Sequence, residues 1–544
     1  MLPRISCAVV RCGRERPATS RELPRWKWFE VRRVATGVVC LLTLGVLGQC
    51  WAQLVPGAVP AQPSTQLPTL GYGGDMGSSA ERRLGERIAR EIYRDPDYID
   101  DPILVDYVQG IWQPLLTAAR ARGDLSDELD QRFAWEVMLG RDRSINAFAL
   151  PGGYLGLHLG LIGVVSSRDE LASVLAHELS HVTQRHISRL VTRQSQQAPW
   201  LLGAMILGAL AAAKNPNAAN AVIVGGQAAA AQSQLNFSRD MEREADRVGY
   251  GILVQAGFDP NGFVTMFDKL GQSSRLNDSG AFPYLRSHPL TTERLADMQS
   301  RLAPGARAPD GANQSVSHAM LSARARVLSN TAVDAQRAWL TPVPRVTPDQ
   351  SQVAVQAAAL YGAALAASKL SEPTQAAGYV QQLAQLPLHE PGAARLLALL
   401  RAELILARGQ APQAVALLAT LAPAKEDRPW LMLSAQAWMA AGQSALAAER
   451  LQEWVVLHPR DALAWTLLSG AYAAQGQPLR SVRADAEAKV AVLDYEAALD
   501  RFNAAQAMVR DGVRAAGVDH VEASIVDTRR REVQSILKEQ ALER

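Results

Sequence analysis

Residues 169–193 read DELASVLAHELSHVTQRHISRLVTR. Ala172, Val174, Leu175, Leu179 and Val182 recur at helical spacing, which predicts a buried helix. Set into it is His177-Glu178-Leu179-Ser180-His181, an H-E-x-x-H pattern. Four residues apart on a helix, His177 and His181 share a face, so both imidazoles can reach one tetrahedral zinc ion. Glu178 lies close to that face, where it can take a proton from water activated by the metal. A bare polar pair in so apolar a helix would be costly, which argues against an accidental placement.

A third ligand must come from elsewhere. The metzincin pattern needs a glycine at position 184 and a histidine at 187, but the chain has Gln184 and Ile187. His186 is nine residues from His177, half a turn round a continuous helix and away from the metal. Residues 194–210 contain no acid. The next acid cluster is Asp240-Met241-Glu242-Arg243-Glu244-Ala245-Asp246, on a second predicted helix. Glu242 and Asp246 share one face, as a ligand and a supporting carboxylate would. Glu244 points elsewhere and reads as an exposed charge beside Arg243 and Arg247.

Around this centre, residues 133–139 and 145–149 read as two strands joined by the turn 140–144. Asn146-Ala147-Phe148 is then either an edge strand that binds extended substrate or part of a buried hairpin. Residues 198–213 and 218–231 are small-residue apolar arms of at most sixteen residues, too short to span a bilayer. They read as a helical hairpin, acting as a lid, touching lipid, or simply packed in the core.

The chain has 544 residues and a net charge of +3. Nine basic and three acidic residues fall within 1–52, leaving 47 basic against 50 acidic in the remainder. That remainder has no basic excess with which to bind nucleic acid. All four cysteines (Cys7, Cys12, Cys40, Cys50) also lie in the first fifty residues, so no thiolate metal site is available beyond them. Arg32 and Arg33 precede a fifteen-residue apolar run, 34–48, followed by Cys50-Trp51-Ala52. This predicts a signal peptide over 1–52 with cleavage after Ala52, an uncleaved anchor being the alternative. A Pro/Gly/Ser-rich linker follows over 53–80.

Beyond residue 350 the composition turns to Ala, Leu and Gln. Gly409-Gln410, Gly442-Gln443 and Gly476-Gln477 recur 33 and 34 residues apart. Each glycine is preceded by a bulky residue (Ile405, Trp438, Tyr472) and followed by a small one (Ala414, Ala447, Ser481). The pattern is that of tetratricopeptide repeats. The expected organisation is a peptidase domain over 81–302, a linker with a helical segment over 303–350, repeats over 351–495 and capping helices over 496–544.

H-E-x-x-H followed about sixty residues later by Glu-x-x-x-Asp, within FSRDMEREADRVG, resembles the gluzincins that include the HtpX heat-shock peptidases and the CAAX-prenyl endopeptidases. Asn146-Ala147-Phe148-Ala149 before Gly152-Gly153, and Ser287-His288-Pro289-Leu290 before Arg294, match two further motifs of that family. The leader and the repeats narrow the resemblance to the periplasmic β-barrel-assembly-enhancing type. It implies a mostly α protein: an α+β zincin peptidase domain with a small β-sheet, followed by an α-helical tetratricopeptide repeat solenoid. It further implies one zinc ion per chain, held by His177, His181 and Glu242, with Asp246 behind them and Glu178 as catalytic acid and base. His288 and Arg294 are then site residues. His288 either donates to an oxyanion, aided by Arg294, or occupies the fourth zinc position at rest.

The implied work is quality control of misassembled outer-membrane proteins, with partners in the barrel-assembly and lipopolysaccharide-export machinery. Two functions follow: a periplasmic endopeptidase, or a scaffold and chaperone whose protease site is largely latent.

Overall fold

A computed structural model of the chain describes residues 76–194, 238–276, 283–302, 315–341, 350–421, 427–514 and 519–542. The leader 1–52, nearly all of the 53–80 linker and the apolar arms 198–231 lie outside the described residues. Among those described, no helix is long and apolar enough to cross a membrane.

Helices α1 (Ser78–Arg94), α2 (Pro102–Arg122) and α3 (Asp127–Arg132) lead into strands β1 (Glu136–Gly140), β2 (Ala147–Leu150) and β3 (Tyr154–His158). The sequence marks the ends of α2: the Asp101 side chain accepts from Leu104 N–H, Pro102 opens the first turn, and Gly123 at φ 76° ends the helix. The strands do not form the expected hairpin. Their order is β1-β3-β2, with β1 parallel and β2 antiparallel to β3. All five residues of β3 are buried, so it takes the centre, with a neighbour on each edge. Gly156 makes this fit, because a Cβ there would lie 2.1 Å from the Phe148 ring. Strand β2 is left at the edge of the sheet, alongside the buried helix α5.

After α4 (Leu159–Val164) come α5 (Arg168–Thr183) and α6 (His186–Gln194), then α7 (Arg239–Gln255), α8 (Asn261–Leu276), α9 (Pro283–Ser287) and α10 (Thr292–Arg301). The stretch read as a linker with a helical segment carries α11 (Val316–Ser329) and α12 (Val333–Ala338). Helix α11 packs into the core. Its Met320, Ala325 and Val327 join one continuous apolar core that also takes in Ile111 and Trp112 of α2 and Leu360 and Tyr361 further on.

Five helical pairs complete the chain: α13 (Gln350–Lys369) with α14 (Pro373–Leu383), α15 (Pro391–Ala407) with α16 (Ala411–Ala419), α17 (Arg428–Ala440) with α18 (Ser444–Leu457), α19 (Ala462–Ala474) with α20 (Pro478–Ala491), and α21 (Tyr495–Arg514) with α22 (His520–Leu542). Gly409, Gly442 and Gly476 turn three of these pairs at φ 73°, 77° and 68°, a region that glycine enters without steric cost. Ala414 and Ala447 are fully buried where paired helices meet.

The pairs bend back onto the start of the chain. Leu84 and Ile88 of α1 share a core with Phe502 of α21 and Val526 and Val533 of α22. Arg428 pairs with Asp100, and Arg460 with Glu136 of β1.

Arg324 of α11 sits at the heart of this junction, paired with Asp101 at 2.7 Å and Glu403 of α15 at 3.0 Å, and bonded to the Tyr361 hydroxyl. Burial raises the pKa of Asp101, but Arg324 and the Leu104 N–H outweigh it and hold the carboxyl below its ordinary 3.8. Its contribution to stability is therefore complete above pH 3.8 and fades as pH falls through the lowered value. Arg324→Ala is expected to cost about 3–5 kcal/mol, because it strands a buried carboxylate. Denaturant unfolding measures this, and an unchanged midpoint would refute the role of the junction.

Candidate metal centre and active site

Helix α5 is buried along nearly its whole length, and the Ser167 side chain caps it on Glu170 N–H. It delivers His177, Glu178 and His181 on neighbouring turns. Helix α7 crosses it closely at Gly249, where a Cβ would lie 3.0 Å from the Ala176 carbonyl oxygen. That approach brings Glu242 and Asp246 against the two histidines. His288 follows the single turn of α9, and Tyr284 of that turn stacks on the His288 ring at 4.7 Å between centroids.

His177, His181, Glu242 and His288 converge, all buried, with their ligating atoms within 4.8 Å of one another. His177 Nε2 lies 3.0 Å from His181 Nε2 and 3.3 Å from His288 Nδ1. Glu242 carboxylate oxygens lie 3.1 Å from His288 Nδ1 and 3.5 Å from Nε2 of both His177 and His181. A tetrahedral ion with metal–ligand bonds near 2.0–2.1 Å sets its ligands about 3.3–3.4 Å apart. The observed edges bracket that value. Three imidazole nitrogens and a carboxylate facing one another in a buried space are the donor set of a cation.

Behind the ring stand two sets of supports. His177 Nδ1 lies 2.9 Å from Asp246. Arg294 donates to both oxygens of Asp246, at 2.6 and 2.8 Å, and its Nη1 lies 2.8 Å from Glu242. The Arg294 guanidinium is thus engaged with both carboxylates and, through Nη1, with the Pro289 carbonyl.

His186 and Glu244 also differ from the sequence reading. The helix does not run on past Gln184: Arg185 takes φ 53° and α6 starts afresh. His186 is thereby buried with its Nδ1 2.9 Å from His181 Nδ1, and its Nε2 is 3.1 Å from Glu244. Glu244 is half-buried and also accepts from Arg189 at 2.6 Å, rather than standing as an exposed charge beside Arg243 and Arg247.

Glu178 is fully buried. Its Oε2 accepts from Ala149 N–H on the edge strand at 3.0 Å. Its Oε1 lies 3.5 Å from His288 Nε2 and has no hydrogen-bond partner among the described residues. Of the expected substrate strand, Asn146 is buried and its carbonyl accepts from His158 N–H at 3.0 Å. Ala147 pairs with Leu157, and Phe148 turns onto Gly156 and His158. The strand residue that bonds Glu178 of α5 is Ala149, one step beyond the three residues expected to bind substrate.

Residues 115–302 match the profile of peptidase family M48. The chain is 30% identical over 445 residues to the β-barrel assembly-enhancing protease of Yersinia pestis, covering 80% of this chain and 87% of that protein. The namesake from Escherichia coli K12 is 29% identical over 459 residues, 83% of this chain and 89% of its own length. The chain belongs to peptidase family M48, among the β-barrel assembly-enhancing proteases. A mitochondrial metalloendopeptidase, OMA1, of Arabidopsis thaliana is 32% identical over 161 residues, or 30% of each chain. The likeness to the M48 metalloproteases thus includes the residues that carry the cluster.

The buried charges of this M48 metalloprotease site are strongly interdependent. Burial drives His181 well below its ordinary pKa, so it stays a neutral donor. Burial raises the pKa of Glu242, but His288 and His177 more than offset this and keep the carboxylate charged. Burial lowers His177, yet Asp246 and Glu242 outweigh it and lift the value to about 9. His186 falls to about 4, chiefly by burial. Glu178 is raised by burial, with His288 and His177 acting against that rise.

No glycine or proline at 184–185 announces the Arg185 turn, so the sequence offered no signal for His186. For Tyr284 the only cue was its position four residues before His288.

Proposed function

We propose that the chain is an exported zinc endopeptidase that works in the periplasm on misassembled outer-membrane proteins, and that His288 caps its site at rest. The observation that carries this reading is the buried convergence of His177, His181, Glu242 and His288 beside Glu178. Zinc suits the nitrogen-rich, four-fold donor set. The leader 1–52 supports export, and the phased helical pairs support a tetratricopeptide array that docks clients. The names of the relatives support outer-membrane assembly as the setting. Barrel-assembly and lipopolysaccharide-export proteins are the partners this reading carries, with peripheral lipid contact through 198–231.

When bound, the ion supplies Lewis-acid polarisation and a nucleophile at neutral pH. The rest falls to the chain. His177, His181 and Glu242 would hold the ion, while Asp246 and Arg294 hold those side chains in place. Strand β2 offers an edge on which an extended peptide can align. Glu178, fixed through Oε2 by Ala149 N–H, has Oε1 available to take a proton from the attacking water and hand it to the leaving amine. His288 Nδ1, beside His177 Nε2 and Glu242, would keep substrate out while the side chain stays in the cluster.

His288→Ala is therefore expected to raise basal cleavage of an unfolded barrel protein, and lowered turnover would instead favour an oxyanion role. The same cap favours the second reading, a scaffold with a largely latent protease. Cells carrying Glu178→Gln in place of the native protein separate the two. Barrel-assembly defects equal to those of cells lacking the protein support the protease, and wild-type assembly supports the scaffold.

A further inference from the structure

The two histidines on α5 are supported differently. His177 Nδ1 meets a carboxylate directly, that of Asp246. His181 Nδ1 meets the imidazole of His186 at 2.9 Å, and only beyond that ring comes a carboxylate, Glu244, 3.1 Å from His186 Nε2. We propose that His186 is a positioning residue for the metal centre, an imidazole bridge that fixes the tautomer and orientation of His181 and couples it to Glu244 and Arg189. The inference rests on the metal-centre reading and deepens it.

The proton positions follow from connectivity. His181 Nε2 faces the ligand cluster and must be bare to bind an ion, so its proton sits on Nδ1. Nδ1–H then donates to His186 Nδ1, which must be the unprotonated nitrogen of that ring. The His186 proton is left on Nε2, where it donates to Glu244. Each group in the line has one role, and a neutral His186 satisfies all of them. Arg189, 2.6 Å from the same Glu244 oxygen, fixes the far end.

The local backbone is built to deliver this ring. Had α5 continued as a regular helix, His186 would face away from the ligand side. The left-handed turn at Arg185 redirects it. That turn is anchored: Arg185 pairs with the buried Glu81 of α1 at 3.0 Å and bonds the Met76 carbonyl and the Ser188 hydroxyl. An unfavourable backbone conformation held by an ion pair to a buried carboxylate, with a ring placed behind a ligand as its result, is what a positioning device requires.

The test is the zinc affinity of the full-length protein by competition with a chromogenic chelator, together with the visible spectrum of the cobalt(II)-substituted protein and unfolding of the metal-free form. His186→Phe keeps a ring of similar size without an acceptor and is expected to bind zinc about 10–100-fold more weakly. The cobalt bands should shift with it. His186→Asn, whose amide oxygen lies where Nδ1 was, should recover most of that affinity, and Glu244→Gln should fall between. A purely structural residue would lower the unfolding temperature of the metal-free protein and leave affinity and spectrum unchanged; that result overturns the inference. If His186→Phe does not fold, the His186→Asn and Glu244→Gln pair decides, and parental affinity in both overturns it. A parent protein that binds no zinc would refute the metal-centre reading itself, a separate outcome.

Discussion

Glu178→Gln is expected to lower peptide-bond hydrolysis by about 10²–10⁴-fold while the purified protein keeps its full metal content. The amide preserves shape and can still accept from Ala149 N–H through its oxygen. It cannot take a proton from water at the position of Oε1. Glu178 lies outside the ring of convergent ligand atoms, so the ion has no reason to leave. Turnover and metal stoichiometry measured on one preparation check both halves. Metal loss with the activity would move Glu178 into the ligand set, and undiminished turnover would remove it from the chemistry.

Glu242→Ala is expected to do the opposite, removing the metal and stability together. Glu242 is the one carboxylate in the ring, and without it three imidazoles face one another with no negative charge among them. Its loss also takes away a partner 2.8 Å from the buried Arg294. A metal present at a thousand times its dissociation constant stabilises a fold by about 4 kcal/mol, and that linkage disappears with the site. The expected result is zinc below stoichiometry and a lower unfolding temperature that added zinc no longer raises. A variant that still shows the parental zinc-dependent rise would place the third ligand elsewhere.

The parts of the site carried by regular helices are legible in the sequence. His177 and His181, like Glu242 and Asp246, are four residues apart, and the helical period alone puts each pair on one face. His186 was not legible, because the turn that redirects it uses Arg185 in a left-handed conformation where a glycine would have given warning. Strand β3 escaped for a related reason. YLGLH is buried on both faces and interrupted by Gly156, so it shows no alternation, and the flanking strands read as a hairpin. Among the helical pairs, those turned by glycine announced themselves. The first pair turns at Ser371, φ 60°, where no glycine marks it.

The most direct measurement is X-ray absorption at the zinc edge, with anomalous diffraction to place the ion, on the full-length resting protein. The account predicts one zinc per chain, coordinated by nitrogen from His177, His181 and His288 and oxygen from Glu242 at about 2.0–2.2 Å. Absence of stoichiometric zinc, or an ion bound away from His177 and His181, would contradict it.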